Sequence, residues 1–255
     1  SVPESMQSII ARITRIFLNA LVNTGTEIEK AVVFDNNQEV TATLKEKFPF
    51  IEIDDLNDAA SQATVFISLH PPVIMETLEK ISAVVSDTTT VVSLAPKITV
   101  EKFASKLKTK KIARLIPNAT SYINEGFNPL AFHPEMKKED KKAIKKVLKI
   151  LGKTFETDES KLESYAITSA MLPTYFWFQM QELEKIAQQI GLNEEEASKT
   201  VKSTLKKAIK LYYYSGLTPA EVINLIPVKP IGENEVEIKE IYQTKLMGLY
   251  GKIKP

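Results

Sequence analysis

The sequence predicts an α/β protein whose first half forms a mostly parallel β-sheet and whose second half is all-α. Up to about residue 157, short apolar runs of strand length alternate with helical patterns across short links. This alternation is typical of βαβ units, which build parallel sheets. From Asp158 onward every pattern is helical. We therefore expect a domain boundary between residues 157 and 158.

The composition excludes several classes of function. Basic residues number 33 and acidic residues 32, so the net charge of +1 predicts no surface for nucleic acid or an anionic membrane. No apolar run reaches the roughly 18–20 residues of a membrane span and no secretion leader is visible, so we expect a cytoplasmic protein. The absence of cysteine excludes disulfides and thiol chemistry, and only two histidines argue against a metal site.

A first helix is predicted from the first residue to Gly25. Large apolar residues recur there at helical spacing, at Ile9, Ile13, Ile16, Phe17 and Leu21. Ser1–Glu4 has the form of a capping box with proline in the first turn. Gly25 suits the left-handed position that ends a helix.

The other elements of the first half follow in order. The apolar runs predict strands at Lys30–Asp35, Ile51–Ile53, Thr64–Leu69, Thr89–Leu94 and Lys111–Ile116. Helical patterns lie between them, near residues 38–47, 72–85 and 100–107. Leu130–His133 is predicted as a last edge strand, and Lys137–Leu151 as a helix whose lysines form a solvated face.

The second half contains a long apolar helical stretch, Lys161–Ile190, which Pro173 must kink or restart. Capping boxes at Asn193–Glu196 and Thr218–Glu221 open two further helices. The long stretch is apolar on nearly all sides, so it is either the centre of a bundle or part of a subunit interface. We favour an intertwined dimer.

Four segments carry motifs whose order and spacing are informative: Val65–Ile74 (VFISLHPPVI), Val92–Thr99 (VSLAPKIT), Arg114–Thr120 (RLIPNAT) and Ser169–Tyr175 (SAMLPTY). Together they resemble the pyrroline-5-carboxylate reductase family, with its "VKPQ" turn and its "SIAAGIT", "R-x-M-P-N-T-P" and "SGSGPAY" segments. The resemblance covers nearly the whole chain.

The resemblance implies a Rossmann-like dinucleotide-binding domain over residues 1–157 and an all-helical dimerisation and substrate domain over residues 158–255. Members of the family reduce a cyclic imine, 1-pyrroline-5-carboxylate, to proline with NAD(P)H. The resemblance therefore also implies NAD or NADP as cofactor, a small imine or amino-acid substrate, and a homodimer or higher homo-oligomer formed through the helical domain.

The same resemblance suggests candidate site residues. Ser169 and Asn234 are the catalytic candidates. The cofactor-binding candidates are Asp35, Asn36, Ser68, His70, Pro71, Ala95 and Asn118. No metal ligands are expected.

Each candidate has an alternative interpretation. Asp35 closes a strand, where its carboxylate suits the ribose hydroxyls and favours NAD, or else it caps the next helix. His70 contacts the nicotinamide side or is a polar turn residue. Asn118 positions the imine or the nicotinamide amide, or it hydrogen-bonds its own turn. Ser169 reaches the substrate or is a small residue at a helix contact. His133 is predicted as a surface or turn residue.

The chain departs from the family at both binding loops. The family opens with a strand and G-x-G-x-x-G, whose glycines let the backbone approach the pyrophosphate, and no intact copy is present. We expect that strand and two of the glycines to lie upstream of Ser1. Another register puts Ile9, Ala11 and Thr14 at the glycine positions, but it forces Pro3 into a strand.

At the substrate end, bulky Met171 and Leu172 stand where the family has small residues. The family's "T-S-P-G-G-T-T" loop corresponds to Val228–Asn234, where Lys229 is placed to take a substrate carboxylate. Three functions therefore stay open: a pyrroline-5-carboxylate reductase, a related reductase for another small substrate, and a non-catalytic dimeric binding or regulatory protein.

Overall fold

The computed structural model describes the backbone of residues 4–255 and the side chains of residues 12–255. The chain forms two compact units. The first, here called the α/β unit, comprises Ser1–Ala170 and Tyr250–Pro255, and the second, the helical unit, comprises Met171–Leu249. The predicted domain boundary after residue 157 is a different division and stays a prediction. The capping box predicted at Ser1–Glu4 lies outside the described side chains.

The α/β unit confirms the predicted alternation of helices and strands. Its elements are α1 Glu4–Thr24, β1 Val32–Val33, α2 Gln38–Lys47, β2 Glu52–Ile53, α3 Leu56–Ala60, β3 Thr64–Ile67, α4 Pro71–Ile81, β4 Thr90–Ser93, α5 Val100–Ala104, β5 Ile112–Leu115, β6 Gly126–Phe132, α6 Lys138–Leu148, β7 Gly152–Glu156 and α7 Leu162–Tyr165. Helix α1 ends as predicted, because Gly25 takes the left-handed conformation with φ +60°.

The strands form two separate sheets. Strands β3 to β7 lie side by side in chain order, and only the β5–β6 pair is antiparallel. Strands β1 and β2 pair in parallel with each other. Within residues 4–255 no strand joins β1 to β3. The mostly parallel Rossmann-like arrangement is therefore present in two pieces.

One prediction about the last strands is wrong, and one strand was not predicted. The strand predicted at Leu130–His133 is β6, which begins at Gly126 and is an interior strand rather than an edge. The edge is β7, which the sequence did not reveal, and it begins just after a helix that we expected to run to Leu151. Strand β7 is partly exposed along its length, so its residues lack the apolar run by which the other strands were recognised.

The main sheet is covered on both faces. Successive residues of a strand point to opposite faces, so Val91 and Val92 of β4 belong to different clusters. One cluster, with α4 and α5, includes Ile67, Ile74, Leu78, Val91, Phe103 and Ile112. The other, with α1 and α6, includes Ala20, Val92, Leu115, Leu130, Ile144 and Leu148. Helix α1 also places Leu18 against Leu44 of α2, which connects it to the β1–β2 side.

The helical unit contains α8 Pro173–Gln189, α9 Glu194–Tyr214, α10 Pro219–Asn224 and most of α11 Glu235–Ile253. Pro173 restarts the long apolar stretch, because it is the first residue of α8 and follows a π-helical turn at Ala166–Ala170. Both predicted capping boxes are confirmed, at Asn193 with Glu196 and at Thr218 with Glu221.

Among residues 171–249, only Ala197 is fully buried. Many large apolar side chains on α8 and α9 are therefore open to solvent in the single chain, including Trp177, Phe178, Ile190, Tyr213 and Tyr214. No helix in the described part of the chain is both long and apolar enough to cross a bilayer.

Candidate functional site

Most of the predicted site residues follow strands of the main sheet. Strands β3, β4 and β5 are parallel, so the residues that follow them lie along one edge. Ser68, His70 and Pro71 follow β3, Ala95 follows β4, and Asn118 follows β5. Ligands of such sheets bind at this carboxyl edge.

Asn118 and Ser169 are brought together by a hydrogen bond. The Asn118 Nδ2 group donates to Ser169 Oγ over 3.2 Å. The other end of the same amide is fixed, because Oδ1 accepts from the Thr120 backbone N–H at 3.0 Å and from the Thr120 hydroxyl at 2.5 Å. Asn118 is buried, whereas Ser169 is half-buried. The two candidates therefore form one polar pair at the carboxyl end of β5.

The local structure explains this pair. Asn118 caps the 3₁₀ turn Ala119–Ile123, so its backbone and its side-chain oxygen are held by the turn. Ser169 lies in the π-helical turn Ala166–Ala170, a conformation that often occurs at functional sites. The Ser169 oxygen accepts from Asn118, so its own O–H is free to be a donor to a bound molecule.

Asp35 lies just beyond β1 and is half-buried. Its Oδ1 atom accepts from the backbone N–H of Asn37 at 2.7 Å. Burial raises the pKa of the Asp35 carboxyl above its ordinary value, and the Asn37 hydrogen bond partly opposes this increase. The helix cap considered for Asp35 belongs instead to Asn37, whose side chain accepts from Glu39 N–H.

The remaining cofactor candidates differ in what they present. Asn36 is exposed, and Ser68 is half-buried. His70 stands at the N-cap of α4 without a side-chain capping bond, and Pro71 is the first residue of that helix. Ala95 is buried and offers only its backbone to a ligand.

Asn234 belongs to the helical unit and is not part of the Asn118–Ser169 pair. It ends the short 3₁₀ turn Gly232–Asn234, where it is exposed and its N–H donates to Ile231 at 3.0 Å. Lys229, in the same loop, is exposed, and its ammonium donates to the Ile226 carbonyl at 3.1 Å.

The prediction for His133 is wrong in part. Its side chain is buried rather than on the surface. His133 Nδ1 accepts from the Glu135 N–H at 3.2 Å, and Nε2 lies 3.3 Å from a carboxylate oxygen of Glu101. Among the described side chains, no group of three His, Asp or Glu residues is placed to hold a metal ion.

A buried ionic cluster, which we did not predict from the sequence, lies beside the site. Arg114 of β5 is fully buried and contacts Glu159 at 3.0 Å and Glu163 at 2.5 Å. One signal was available, because an arginine between Ala113 and Leu115 in a buried strand requires a buried partner. Which carboxylates supply it is decided by tertiary contacts.

Comparison with known proteins by sequence finds relatives of one kind. No protein-family model matches the sequence. A pyrroline-5-carboxylate reductase of Pasteurella multocida is 28% identical over 62% of this chain, a match that spans 58% of that enzyme's length. Pyrroline-5-carboxylate reductase 2 of Bacillus subtilis is 22% identical over 89% of the chain and 83% of the enzyme. The chain is therefore similar to pyrroline-5-carboxylate reductases along most of its length.

The fold agrees with this similarity. The crystal structure of Plasmodium falciparum pyrroline carboxylate reductase with NADP bound superposes with a TM-score of 0.68 at 15% identity, over 94% of this chain and 89% of that one. Lys97 stands where the family's "SIAAGIT" segment has glycine, and it has a left-handed φ of +74°, a conformation that favours glycine.

Proposed function

We propose that the protein is an NAD(P)H-dependent reductase that converts 1-pyrroline-5-carboxylate to proline in the cytoplasm. The observation that carries the proposal is the Asn118–Ser169 hydrogen bond at the carboxyl edge of β5, in a chain that is similar to these enzymes. It provides a polar pair, with one oriented hydroxyl, at the edge where such sheets bind their ligands.

The pair suits reduction of a C=N bond. A reduced nicotinamide, when bound, supplies the hydride that adds to the imine carbon. The imine nitrogen gains a proton in this reduction. The Ser169 hydroxyl is free to donate it, because its oxygen accepts from Asn118, and then regains a proton from solvent. Asn118 keeps the serine oriented, since its amide is fixed by Thr120 at the other end.

The dinucleotide is assigned to the carboxyl ends of strands in both sheets. Asp35 offers a carboxylate oxygen to a ribose hydroxyl, and Asn36 lies beside it. Ser68, His70, Pro71 and the Ala95 backbone line the ends of β3 and β4. The residues present fit the ribose end of the cofactor, because a half-buried carboxylate after a parallel strand is the usual ribose acceptor. Its negative charge opposes a 2′-phosphate and therefore favours NADH.

The helical unit is assigned to assembly. Its loop with Lys229 and Asn234 presents an exposed positive charge and an exposed amide. The exposed apolar side chains of α8 and α9 are too many for a free surface, since soluble monomers rarely expose large apolar patches. We assign this surface to a second copy of the chain, because the unit has almost no buried core of its own.

The proposal is tested by the oxidation of NADH or NADPH on addition of 1-pyrroline-5-carboxylate to the full-length protein. We expect turnover by the wild type, and we expect Ser169→Ala to lower kcat by about a hundredfold, as loss of a proton donor does. The control is Ser164→Ala, which removes an exposed hydroxyl from α7.

Three outcomes would contradict parts of the proposal. Absence of turnover with both cofactors excludes this reaction. Tight dinucleotide binding without turnover indicates a reductase for another substrate. A folded dimer that binds neither dinucleotide, measured by calorimetry, indicates a binding or regulatory protein.

A further inference from the structure

The Arg114 cluster connects three segments of the α/β unit through one carboxylate. The Glu163 Oε1 atom accepts from an Arg114 guanidinium N–H at 2.5 Å and from the Lys97 backbone N–H at 3.2 Å. Arg114 lies in β5, Lys97 in the loop after β4, and Glu163 in α7. Both ionic side chains are about 1% exposed.

A second carboxylate repeats this arrangement. Glu159 Oε1 accepts from the other Arg114 amine at 3.0 Å and from the Val100 N–H in the first turn of α5 at 2.8 Å. The guanidinium is planar and rigid, so two carboxylates that each contact a different amine fix their relative positions. The segment from Glu159 to Glu163 is thereby held against both β5 and the β4–α5 loop.

The bond to Lys97 also supports an unfavourable backbone conformation. Lys97 has a left-handed φ of +74°, which a residue with a Cβ rarely adopts. Its N–H is the group that Glu163 accepts from. The shape of the loop after β4, which contains Ala95, therefore depends on the Glu163 carboxylate.

The cluster and the Asn118–Ser169 pair join the same two segments. Arg114 and Asn118 both belong to β5 and the residues that follow it, and Glu163 and Ser169 both belong to α7 and the π-helical turn that follows it. In each segment, the residue of the ion pair comes a few positions before the residue of the neutral hydrogen bond. The distance between Asn118 and Ser169 is therefore constrained by the distance between Arg114 and Glu163.

Buried ion pairs contribute little net stability, because desolvation offsets their attraction. Here the Arg114 Nε and Glu163 Oε2 atoms also have no hydrogen-bond partner among the described residues, which adds to the cost. An apolar pair would stabilise this position at least as well. The charged pair instead fixes the position of α7 relative to β5.

We propose that Glu163 is a positioning residue, whose carboxylate holds α7 and the loop after β4 against β5 and so sets the geometry of the Asn118–Ser169 pair. The turnover part of this inference rests on the proposed function. The structural part does not, because it concerns how firmly two loops are held in the protein without ligand.

The experiment compares Glu163→Asp and Glu163→Gln with the wild type. The aspartate variant keeps the charge but shortens the side chain by one methylene, whereas the glutamine variant keeps the length and removes the charge. The matched control is Glu156→Gln, since Glu156 also has two cationic partners, Lys141 at 3.1 Å and Lys145 at 2.9 Å, but is exposed. If the glutamine variant does not fold, the measurements are made on the aspartate variant alone.

Amide hydrogen exchange is the first readout. We expect Glu163→Asp to speed exchange about tenfold or more in residues 94–100 and 118–124, as local opening becomes easier, while β3 keeps the wild-type rate. Glu156→Gln should leave all three regions unchanged. Wild-type rates in residues 118–124, or equal acceleration throughout the α/β unit including β3, would overturn the inference.

Steady-state kinetics are the second readout. We expect Glu163→Asp to lower kcat for 1-pyrroline-5-carboxylate between about tenfold and a hundredfold, since a misplacement of about 1 Å has this effect. Unchanged kcat together with altered exchange would overturn the claim that the geometry matters for turnover. If the wild type itself has no turnover, the proposed function fails and the exchange data alone decide the positioning role.

Discussion

The Asn118 side chain stabilises its own turn and also contacts Ser169 of the candidate site. From the sequence, the side chain was either a turn residue or a ligand contact. An amide has both an acceptor and a donor, and the structure uses Oδ1 for the Thr120 N–H and Nδ2 for Ser169. The first bond is local and predictable from residue type. The second depends on where α7 packs, and no local pattern specifies that.

Asp35 is the residue on which we expect cofactor choice to depend. Asp35→Asn removes the negative charge that opposes a 2′-phosphate, so NADPH affinity should rise relative to NADH by roughly tenfold, or about 1.4 kcal/mol. Calorimetric titration with each dinucleotide measures the ratio. The control is Asp87→Asn, an exposed carboxylate at the amino end of β4, away from the carboxyl edge. Equal effects of the two substitutions would contradict the assignment.

The same residue predicts a pH dependence of stability. Burial raises the pKa of Asp35 above its ordinary 3.8, so the folded state favours the protonated carboxyl. The stability that the protonated Asp35 carboxyl contributes to folding is fully present below pH 3.8. It is lost as the pH rises through the pKa that Asp35 has in the folded state. The free energy of unfolding of Asp35→Asn, relative to wild type, should therefore increase from about pH 3.5 to pH 7. Urea unfolding at both pH values tests this, and a pH-independent difference would refute it.

At the scale of elements, the β6–β7 pair depends on two glycines. Gly152 has φ +112°, and a Cβ on it would lie 2.3 Å from the Gly126 backbone nitrogen. The start of β7 therefore passes directly against the start of β6. This close approach explains why an exposed, weakly patterned segment can still form the edge strand.

Gly152→Ala is expected to destabilise the protein by about 2–4 kcal/mol, from backbone strain and overpacking together. Denaturant unfolding gives the change. Gly25→Ala is the matched control, because Gly25 also has a positive φ but nothing lies within 4 Å of its would-be Cβ, so only the strain of about 1–2 kcal/mol remains. Equal losses in the two variants would show that the β6–β7 contact is not tight.

At the scale of the molecule, the open apolar faces of the helical unit predict a dimer. Phe178 on α8 is 64% exposed in the single chain, and Phe178→Glu should weaken association at least about tenfold by placing a charge in the interface. Sedimentation velocity across a dilution series measures the dimer constant. Val147→Glu is the control, since Val147 is an exposed apolar residue of α6 in the α/β unit. A monomeric wild type would contradict the assignment.

The sequence alone determined the class of the fold, the order of most elements and the ends of several helices. Periodicity and capping are properties of neighbouring residues, so Gly25, Pro173 and the two capping boxes were correctly interpreted without a structure. The similarity to pyrroline-5-carboxylate reductases likewise followed from the order of the motifs.

Tertiary structure alone decided the partners of buried polar groups and the strands without a pattern. Arg114 required a carboxylate, but its partners Glu159 and Glu163 lie far along the chain. His133 lies just beyond β6 and is buried, with its N–H donating to Ile112 and its Nε2 3.3 Å from Glu101. These features arise from contacts between distant segments, whose energies no local window of sequence contains.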